Sequence, residues 1–340
     1  MHKELTTIAS VGQLIAEVLQ THYKVDPEPL FKQAGLDPEL LHVPGTRYPR
    51  AGIMELWKLA VATTGDPCIG LTVGFNIRAT SYHALGFSWL ASHTLLEALQ
   101  RLARYYRVIA TVPLQIDIRE SADNYELEVI YPDPRYPAPP IALDSFMASI
   151  IGLCRAATDD RFHPLSVSLG HDDNGRADEY IEAFGCPVEF QADNNTFSFD
   201  KALLLAPLPG DNLDIVKATD KVVENYLETL NPHRVATEVR KLLIDLLPTG
   251  EANQQLIASH LAKSVSTLQR QLRDEGTSFR EVQDDTRQRL AEDYVYDGKH
   301  SLSQIAYLLG FSDQSNFSRA FKRWHGASPS EYLAESQEKR

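Results

Sequence analysis

Helical and strand-like hydrophobic patterns alternate along the first two thirds of the chain. Apolar residues three or four positions apart predict amphipathic helices, and these cover residues 5–19, 50–65, 93–110 and 141–157. Strict alternation of apolar and polar residues predicts strands, and these cover residues 113–120, 125–131, 164–171, 187–190 and 196–199. The pattern therefore predicts an α+β domain over residues 1–210 with a small, mostly antiparallel sheet.

A segment rich in Pro and Gly and one further helix separate this domain from the rest of the chain. Residues 206–212 read Ala-Pro-Leu-Pro-Gly-Asp-Asn, and residues 231–233 read Asn-Pro-His. Between them, residues 211–230 predict a helix with one apolar stripe, formed by Leu213, Val216, Val223, Leu227 and Leu230. We assign residues 211–232 to a helix and linker whose stripe either forms a homodimer contact or packs on its own domain.

The C-terminal part, residues 233–340, contains an internal repeat. Ile257 and Ala258 correspond to Ile305 and Ala306 at an offset of 48, and one extra residue in the second copy then makes the offset 49. Each copy has the pattern of a short helix, a tight turn and a second helix. The repeat predicts an all-α domain with two helix-turn-helix units.

Turn and cap residues support this assignment. Gly310 suits a turn that needs positive φ, and Ala262 holds the matching place in the first copy. Ser264 and Asp313 are favoured N-cap residues for the second helices. Residues 276–298 predict one long helix that joins the two units.

The second helix of each unit carries a polar face opposite its apolar one. A helix that enters the DNA major groove needs amide, hydroxyl and guanidinium groups near its N-terminus to meet base edges. We therefore predict DNA contacts by Ser266, Thr267, Gln269, Arg270, Arg273, Gln314, Ser315, Asn316, Ser318, Arg319, Lys322 and Arg323.

Two alternatives stay open for these faces. A bundle of six or seven helices would show the same polar residues to solvent without binding nucleic acid. Arg270 and Arg319 could also be structural ion-pair partners of acids such as Asp274.

Short motifs add a family resemblance to this pattern. They are Leu-Gln-Arg at 268–270, Gly-Thr-Ser-Phe at 276–279, Ile-Ala at 305–306, Gly-Phe-Ser at 310–312, Phe-Ser-Arg-Ala-Phe at 317–321 and Gly-Ala-Ser-Pro at 326–329. With these motifs, residues 235–333 resemble the DNA-binding domain of the AraC/XylS family of bacterial transcription regulators. Val265 and Ala262 depart from the family pattern, which often has proline and glycine there. The resemblance implies two recognition helices in successive major grooves of double-stranded DNA, with RNA polymerase as a further partner.

The N-terminal domain also resembles a known module. Segments 64–74, 83–106 and 184–190 are similar to the arabinose-binding sensor domain of one subgroup of that family, without implying that arabinose is the ligand. The resemblance implies a sensor for a small-molecule effector and a dimerising role. Arginine favours a carboxylate or phosphate, and aromatic rings would cover an apolar ligand body. Candidate ligand residues, each of which could instead be a core or ion-paired residue, are Tyr48, Arg50, Tyr82, His83, Trp89 and Arg104.

Composition and charge limit location and partners. No run of about 18 apolar residues is present, and the N-terminus lacks a signal-peptide pattern, so we expect a cytoplasmic protein that does not enter a membrane. The net charge is −13, yet residues 236–340 hold 14 Lys and Arg against 15 Asp and Glu. A DNA-binding surface must therefore arise from local clustering of basic residues.

Catalytic and metal-binding patterns are missing. No GxSxG, phosphate-loop, GxGxxG or HExxH motif occurs, so we expect no enzyme and no cofactor. Isolated cysteines favour burial as small apolar residues, and they are Cys68, Cys154 and Cys186. The closely spaced residues His163, His171, Asp172 and Asp173 fit no standard metal site, and we expect them in a solvated loop.

The leading hypothesis is a ligand-responsive transcription regulator. A DNA-binding regulator without ligand sensing is the first alternative. The second is a metabolic binding protein whose DNA module is vestigial.

Overall fold

The computed structural model describes residues 5–43, 45–159, 162–230, 235–275, 277–325 and 328–332. The chain forms two compact units, unit 1 (Met1–Leu227) and unit 2 (Glu228–Arg340). The division falls near the end of the helix predicted over residues 211–230, because most of that helix belongs with unit 1. The predicted break at 231–233 and the motif residues Gly276, Gly326 and Ala327 lie outside the described residues.

Unit 1 is an α+β unit, as the hydrophobic pattern predicts. Its strands are β1 (Thr6–Ile8), β2 (Arg47–Pro49), β3 (Gln115–Glu120), β4 (Asn124–Ile130), β5 (Ser166–Ser168), β6 (Val188–Glu189) and β7 (Asn195–Asp200). Its helices are α1 (Ala9–Thr21), α2 (Glu28–Gln33), α3 (Arg50–Thr64), α4 (Ile69–Phe75), α5 (Ala84–Leu90), α6 (Leu95–Tyr105), α7 (Pro140–Ala157), α8 (Ala177–Phe184), α9 (Lys201–Leu205) and α10 (Leu213–Leu230).

The larger sheet has the strand order β3-β4-β7-β5-β6. Its neighbours are antiparallel except for the parallel pair β5–β6. In the β4–β7 register, Tyr125 faces Phe199 and Leu127 faces Phe197, and all four side chains are buried. Alternate residues of a strand point to the same face, so the alternation in the sequence translates into one core-facing side.

Residues 5–19 differ from the prediction of a single helix. Thr6–Ile8 form β1, which pairs antiparallel with β2, and the helix begins only at Ala9. The backbone N–H of Ile8 also donates to the carbonyl of Ile109 at 2.8 Å. These long-range partners draw the β-branched residues at the start of the segment into an extended conformation.

The helix predicted over residues 93–110 also ends early. Thr94 caps α6 by accepting a hydrogen bond from the Glu97 N–H at 3.2 Å. After α6 ends at Tyr105, residues 106–108 form a 3₁₀ turn, and Ala110 bridges to Thr7. Pairing with β1 therefore ends the helical pattern before the apolar periodicity does.

Helix α7 lies in the core of unit 1 and packs closely on α4. A Cβ atom on Gly70 or Gly74 would come within 2.4 Å of the carbonyl oxygens of Ile141 and Ser145, respectively, so only glycine permits this approach. Contrary to the expectation that no segment is apolar enough to span a membrane, α7 is long and apolar enough by length and composition. Its side chains Ile150, Ile151 and Cys154 are fully buried within the unit.

Unit 2 is helical throughout its described part. Its helices are α11 (Val235–Leu246), α12 (Gln254–His260), α13 (Val265–Asp274), α14 (Phe279–Asp297), α15 (Leu302–Leu308) and α16 (Gln314–His325). Buried residues form two clusters, one around α12 and α13 and one around α15 and α16. Helix α14 contributes Val282 to the first cluster and Ala291 and Val295 to the second. The two helix-turn-helix units are therefore built on one shared helix.

Both short first helices end in the same Schellman turn. Ala262 N–H donates to the Ser259 carbonyl and Lys263 N–H to the Ala258 carbonyl, and Gly310 and Phe311 repeat this pair of bonds in the second copy. The turn needs a left-handed residue, and φ is +53° at Ala262 and +68° at Gly310. Ala262 therefore occupies the matching place that the repeat predicts, at the cost of a strained backbone.

Replacing Ala262 with glycine should stabilise the first helix-turn-helix unit. An L-residue in the left-handed region costs about 1–2 kcal/mol, and the added freedom of glycine in the unfolded chain offsets about 0.5–1 kcal/mol of the gain. We expect slower amide hydrogen exchange in residues 254–274, by roughly 0.5–1 kcal/mol of opening free energy, with residues 302–325 unchanged.

The reciprocal variant Gly310→Ala is the matched control. It adds a Cβ that would lie 2.9 Å from the Leu247 carbonyl oxygen at positive φ, so exchange in residues 302–325 should become faster. Equal responses of the two variants would contradict this explanation of the turns.

The second helix-turn-helix unit should also lose stability in mild acid, because His325 becomes protonated. Burial lowers the pKa of His325 below its ordinary value of about 6.5, although Glu292 Oε1 lies 3.5 Å from its Nε2. The unfolded chain therefore binds more protons between these two pKa values, and stability falls as the pH drops below about 6.5.

The measurement is hydrogen exchange of residues 314–325 at pH 7.5 and pH 5.5, corrected for the intrinsic rates. His325→Phe, which keeps a ring beside Phe321 and Tyr332, should reduce the difference in opening free energy between the two pH values. An unchanged difference would show that another group is responsible.

Candidate nucleic-acid interface and internal cavity

The second helices of both units begin at side-chain caps. Ser264 Oγ accepts from the Thr267 N–H at 3.1 Å, and Asp313 Oδ1 accepts from the Asn316 N–H at 2.8 Å. The same hydrogen bond lowers the pKa of Asp313, which keeps the cap ionised. These bonds define where α13 and α16 start.

Each of these helices buries one face and exposes the other. Leu268, Leu272, Phe317 and Phe321 are fully buried. All the predicted contact residues lie on α13 or α16. Thr267, Asn316 and Ser318 among them are half-buried, and the rest are exposed: Ser266, Gln269, Arg270, Arg273, Gln314, Ser315, Arg319, Lys322 and Arg323.

Asn316 organises the start of α16. Its Nδ2 donates to Ser312 Oγ at 2.6 Å and to Asp313 Oδ2 at 2.7 Å, while its Oδ1 accepts from Arg319 Nη2 at 2.6 Å. Arg319 therefore donates a hydrogen bond to an amide oxygen, and its side chain is exposed. The arrangement favours a positioning role for Asn316, and among the described residues Arg319 makes no ion pair within 4 Å.

Equivalent polar contacts join the two helices of each helix-turn-helix unit. Gln269 Nε2 donates to Gln254 Oε1 at 3.3 Å, and Ser303 Oγ donates to Gln314 Oε1 at 2.7 Å. An open groove of about 590 Å³ lies beside the first pair and is also lined by Arg273 and Arg280. Sequence reasoning missed Arg280, because it lies on α14 outside the repeat and only the fold brings it beside α13.

Unit 1 contains a partly open cavity of about 80 Å³. Its wall comes from β1, α3, α7, residues 106–112 and the loop 131–139. Most of the wall is apolar, including Ile53, Met54, Trp57, Val112 and Phe146. The polar lining residues are Thr7, Arg50, Tyr82, Tyr106, Tyr131 and Ser145.

The cavity brings together two of the six predicted ligand residues, Arg50 and Tyr82. Arg50 Nη2 donates to the Pro137 carbonyl at 2.6 Å, and the Tyr82 hydroxyl is 2.6 Å from Ser149 Oγ. Sequence reasoning missed Tyr106 and Tyr131. Tyr131 ends the alternating strand pattern of β4, and Tyr106 follows α6, so neither stood out from the apolar periodicity.

The other four predicted ligand residues lie outside the cavity lining. Tyr48 is a core residue whose hydroxyl donates to the Asp37 carbonyl at 2.6 Å. Trp89 is fully buried and donates through Nε1 to the Leu153 carbonyl at 3.1 Å. His83 stacks on Tyr226 with ring centroids 4.4 Å apart, and Arg104 is exposed. Long-range packing gives these residues structural contacts that the sequence pattern cannot distinguish from ligand contacts.

The histidine pair near residue 170 is not a uniformly solvated loop. His171 is half-buried, and its Nε2 is 2.9 Å from Oδ1 of the buried Asp144, which also accepts from the Tyr180 hydroxyl at 2.8 Å. His163 contacts the Pro164 carbonyl at 3.0 Å instead. The two histidines therefore have separate structural partners.

Within the described residues, Asp66, Cys68 and Glu179 form one cluster with potential metal ligands. Arg176 forms ion pairs with both carboxylates, and the Tyr23 hydroxyl donates to Asp66. A guanidinium therefore already supplies the positive charge that a cation would bring. Burial raises the pKa of the Cys68 thiol to about 11, so the thiol is protonated at neutral pH and is a poor ligand.

The three cysteines are buried and unpaired by disulfides, as the sequence predicts. Burial raises the pKa of Cys186 to about 11 and that of Cys154 further. Thiols of this kind are unreactive packing residues.

Comparisons with known proteins agree with this division of the chain. Residues 25–208 match the model of the arabinose-binding domain of AraC transcription regulators, and residues 257–335 match a helix-turn-helix domain. The chain is 30% identical to the ornithine utilization regulator of Pseudomonas aeruginosa over 97% of this chain and 96% of that protein. It is 28% identical to the regulator VirS of Mycobacterium tuberculosis over 91% of each chain. A solved structure, the transcriptional regulator CdpR of P. aeruginosa, aligns with a TM-score of 0.44 and 23% identity over 91% of this chain and 96% of that one. The chain belongs to the AraC family of transcription regulators, with an arabinose-binding-type N-terminal domain and a C-terminal helix-turn-helix region.

Proposed function

We propose that this regulator reads DNA through the exposed faces of α13 and α16, each placed in a major groove. The observation that carries the proposal is the pair of side-chain-capped helices with buried apolar faces and exposed amide, hydroxyl and guanidinium groups. Amides and guanidinium groups are the side chains that discriminate bases in the major groove.

The proposed contacts divide into base readers and phosphate binders. Gln314 and Arg319 are exposed near the N-terminus of α16, where a recognition helix meets base edges. Lys322 and Arg323 lie one turn further on and would neutralise phosphates. Arg270 and Gln269 take the place of the base readers on α13, with Arg273 and Arg280 beside the groove at its end.

Loss of a base reader should weaken binding to the operator but not to unrelated DNA. We expect Arg319→Ala and Gln314→Ala each to cost about 1–3 kcal/mol on the native upstream fragment. Arg323→Ala should weaken binding to native and scrambled DNA equally and reduce the slope of log affinity against log salt by about 1. Fluorescence anisotropy of the full-length protein over a salt series measures both effects.

Lys299→Ala is the matched control, because it removes one exposed positive charge of unit 2 that lies outside α13 and α16. It should change neither discrimination nor the proposed contacts. Equal losses of affinity for native DNA in Lys299→Ala and Arg319→Ala would contradict the assignment of base contacts to α16.

We also propose that a small molecule in the unit 1 cavity changes the state of α10 and thereby the DNA affinity. Arg47 connects the two. It donates to the carbonyls of Val108, Ile109 and Thr6 at 2.6, 3.2 and 3.2 Å, and to the Tyr226 hydroxyl of α10 at 3.2 Å. Ile109 lines the cavity. A ligand that moves this wall would therefore shift the population of α10 positions.

Removing the Tyr226 hydroxyl should loosen α10 without touching the cavity. Tyr226→Phe deletes the bonds to Arg47 and to the Gly45 carbonyl, both 3.2 Å, and keeps the ring against His83. A hydrogen bond contributes about 0.5–1.5 kcal/mol, so we expect roughly two- to tenfold faster exchange in residues 220–227 and a changed DNA affinity.

Tyr136→Phe is the matched control, since Tyr136 is a half-buried tyrosine of the loop 131–139 that does not line the cavity. If Tyr226→Phe speeds exchange but leaves DNA affinity unchanged, α10 does not transmit the signal.

The remaining partners are proposals of the same kind. In α10, Val216 and Val223 of the predicted stripe are buried, whereas Leu213 at its start and the neighbouring Ile215 and Val222 are exposed. We propose that a homodimer contact of α10 uses these exposed residues rather than the buried part of the predicted stripe. Contact with RNA polymerase and a cytoplasmic location accord with a regulator that acts on DNA.

A further inference from the structure

The cavity of unit 1 has one charged side chain, Arg50, among its lining residues. Arg50 gives one N–H to the Pro137 carbonyl at 2.6 Å, which leaves the rest of its guanidinium available. No Asp, Glu, Lys or His lines the cavity within the described part of the chain. The lining therefore carries a single positive charge without a counter-charge of its own.

Tyrosine hydroxyls accompany this charge. Arg50, Tyr106 and Tyr131 all line the same small cavity. Burial raises the pKa of Tyr131 to about 12 and that of Tyr106 well above its ordinary value. Both phenols are therefore neutral hydrogen-bond donors at physiological pH.

The Tyr82 hydroxyl differs from the other two. Ser149 uses its proton to donate to the Phe146 carbonyl at 2.7 Å, so Tyr82 must donate to Ser149 Oγ at 2.6 Å. By contrast, the side-chain hydroxyls of Tyr106 and Tyr131 have no hydrogen-bond partner among the described residues, and both residues line the cavity. Their hydroxyls are donors that a ligand oxygen would satisfy.

The rest of the wall is apolar. Ile53, Met54, Trp57, Val112 and Phe146 surround the space beyond the polar end. A ligand therefore needs an anionic head for Arg50 and a short apolar body. The small volume of about 80 Å³ favours a short or compact body.

We propose that this cavity binds a short-chain or small aromatic monocarboxylic acid, with its carboxylate between Arg50, Tyr106 and Tyr131. A guanidinium and two phenols supply the donors that a carboxylate accepts. One positive charge matches a monoanion better than a phosphate dianion. The described lining has no acidic residue to pair with an ammonium group of a ligand. This disfavours a basic amino acid such as ornithine, which the name of the P. aeruginosa relative mentions. The inference rests on the proposed effector role and names its ligand class.

The test is isothermal titration of the full-length protein without DNA. The ligands are butyrate, hexanoate and benzoate, the neutral analogue hexanamide, the amine hexylamine, L-ornithine and inorganic phosphate. We expect at least one carboxylate to bind, hexanamide to bind at least tenfold more weakly than hexanoate, and the amines and phosphate to bind more weakly still. Tighter binding of hexylamine, ornithine or phosphate than of every carboxylate would overturn the proposal.

Variants locate the binding. Arg50→Gln should weaken carboxylate binding at least tenfold, and the nearly isosteric Tyr131→Phe should weaken it by a smaller factor of two or more. Arg104→Gln is the matched control, because Arg104 is an exposed arginine of the same unit outside the cavity. Loss of binding in Arg104→Gln, or none in Arg50→Gln and Tyr131→Phe, would place the site elsewhere.

A second measurement separates this inference from the proposed function. DNA anisotropy is repeated with and without the best-bound carboxylate. Carboxylate binding without an effect on DNA affinity would support the cavity assignment and contradict the effector role. A DNA response to ornithine but not to any carboxylate would retain a ligand-responsive regulator and overturn the ligand class.

Discussion

Buried backbone carbonyl groups at the ends of elements need hydrogen-bond donors, and the architecture of both units depends on how they are provided. In unit 1, Arg47 donates to carbonyls of β1 and of residues 108–109. In unit 2, Arg287 of α14 donates to the carbonyls of Leu309 and Gly310 at 3.0 and 3.2 Å. In unit 1, Arg155 of α7 likewise donates to the carbonyls of Phe162 and Ala183. An arginine can satisfy several carbonyls at once because its five N–H donors are fixed in one plane. These hydrogen bonds hold the irregular segments in one conformation.

Two groups of arginines differ in what they bind: one binds the protein's own backbone, and the other is exposed or lines the cavity. Arg47, Arg155 and Arg287 are inward-facing and bind the protein's own backbone. Arg319 and Arg270 extend outward from capped helices, and Arg50 faces a cavity. The first group holds the turns and walls on which the second is placed. A rigid turn at Gly310, closed by Arg287, determines where α16 leaves the second unit, and hence where its polar face lies.

In the proposed mechanism, the signal passes through one helix. Arg47 binds the carbonyl of Ile109, which lines the cavity, and the Tyr226 hydroxyl of α10, the helix that precedes unit 2 in the chain. Few hydrogen bonds are involved, so the free energy at stake is of the order of 1 kcal/mol for each. A difference of that size is enough to change a binding constant several-fold, which suits a regulator that responds reversibly.

Local features were readable from the sequence. The repeat, the N-caps Ser264 and Asp313, the apolar faces of α13 and α16 and the left-handed turn at Ala262 all depend on residues within a few positions of each other, and the structure has them where the pattern predicts. The strands of the larger sheet are of this kind too. Features made by distant segments were not readable. Whether residues 5–8 are helix or strand depended on Arg47–Pro49 and Ile109, and the inward stripe of α10 depended on the unit it packs against.

The cavity shows the same limit most clearly. Arg50 and Tyr82 were recognisable candidates, whereas Tyr106 and Tyr131 became polar lining residues only when α6, β4 and α7 were packed together. Conversely, Tyr48 and Trp89 have aromatic rings and hydrogen-bond donors that could suit a ligand. In the structure they donate to backbone carbonyls within unit 1 instead. The sequence by itself determined most of the elements, the repeat and the polar faces of α13 and α16, because these follow from local periodicity. Which side chains face empty space was decided only by the tertiary structure, because that depends on contacts between residues far apart in the chain.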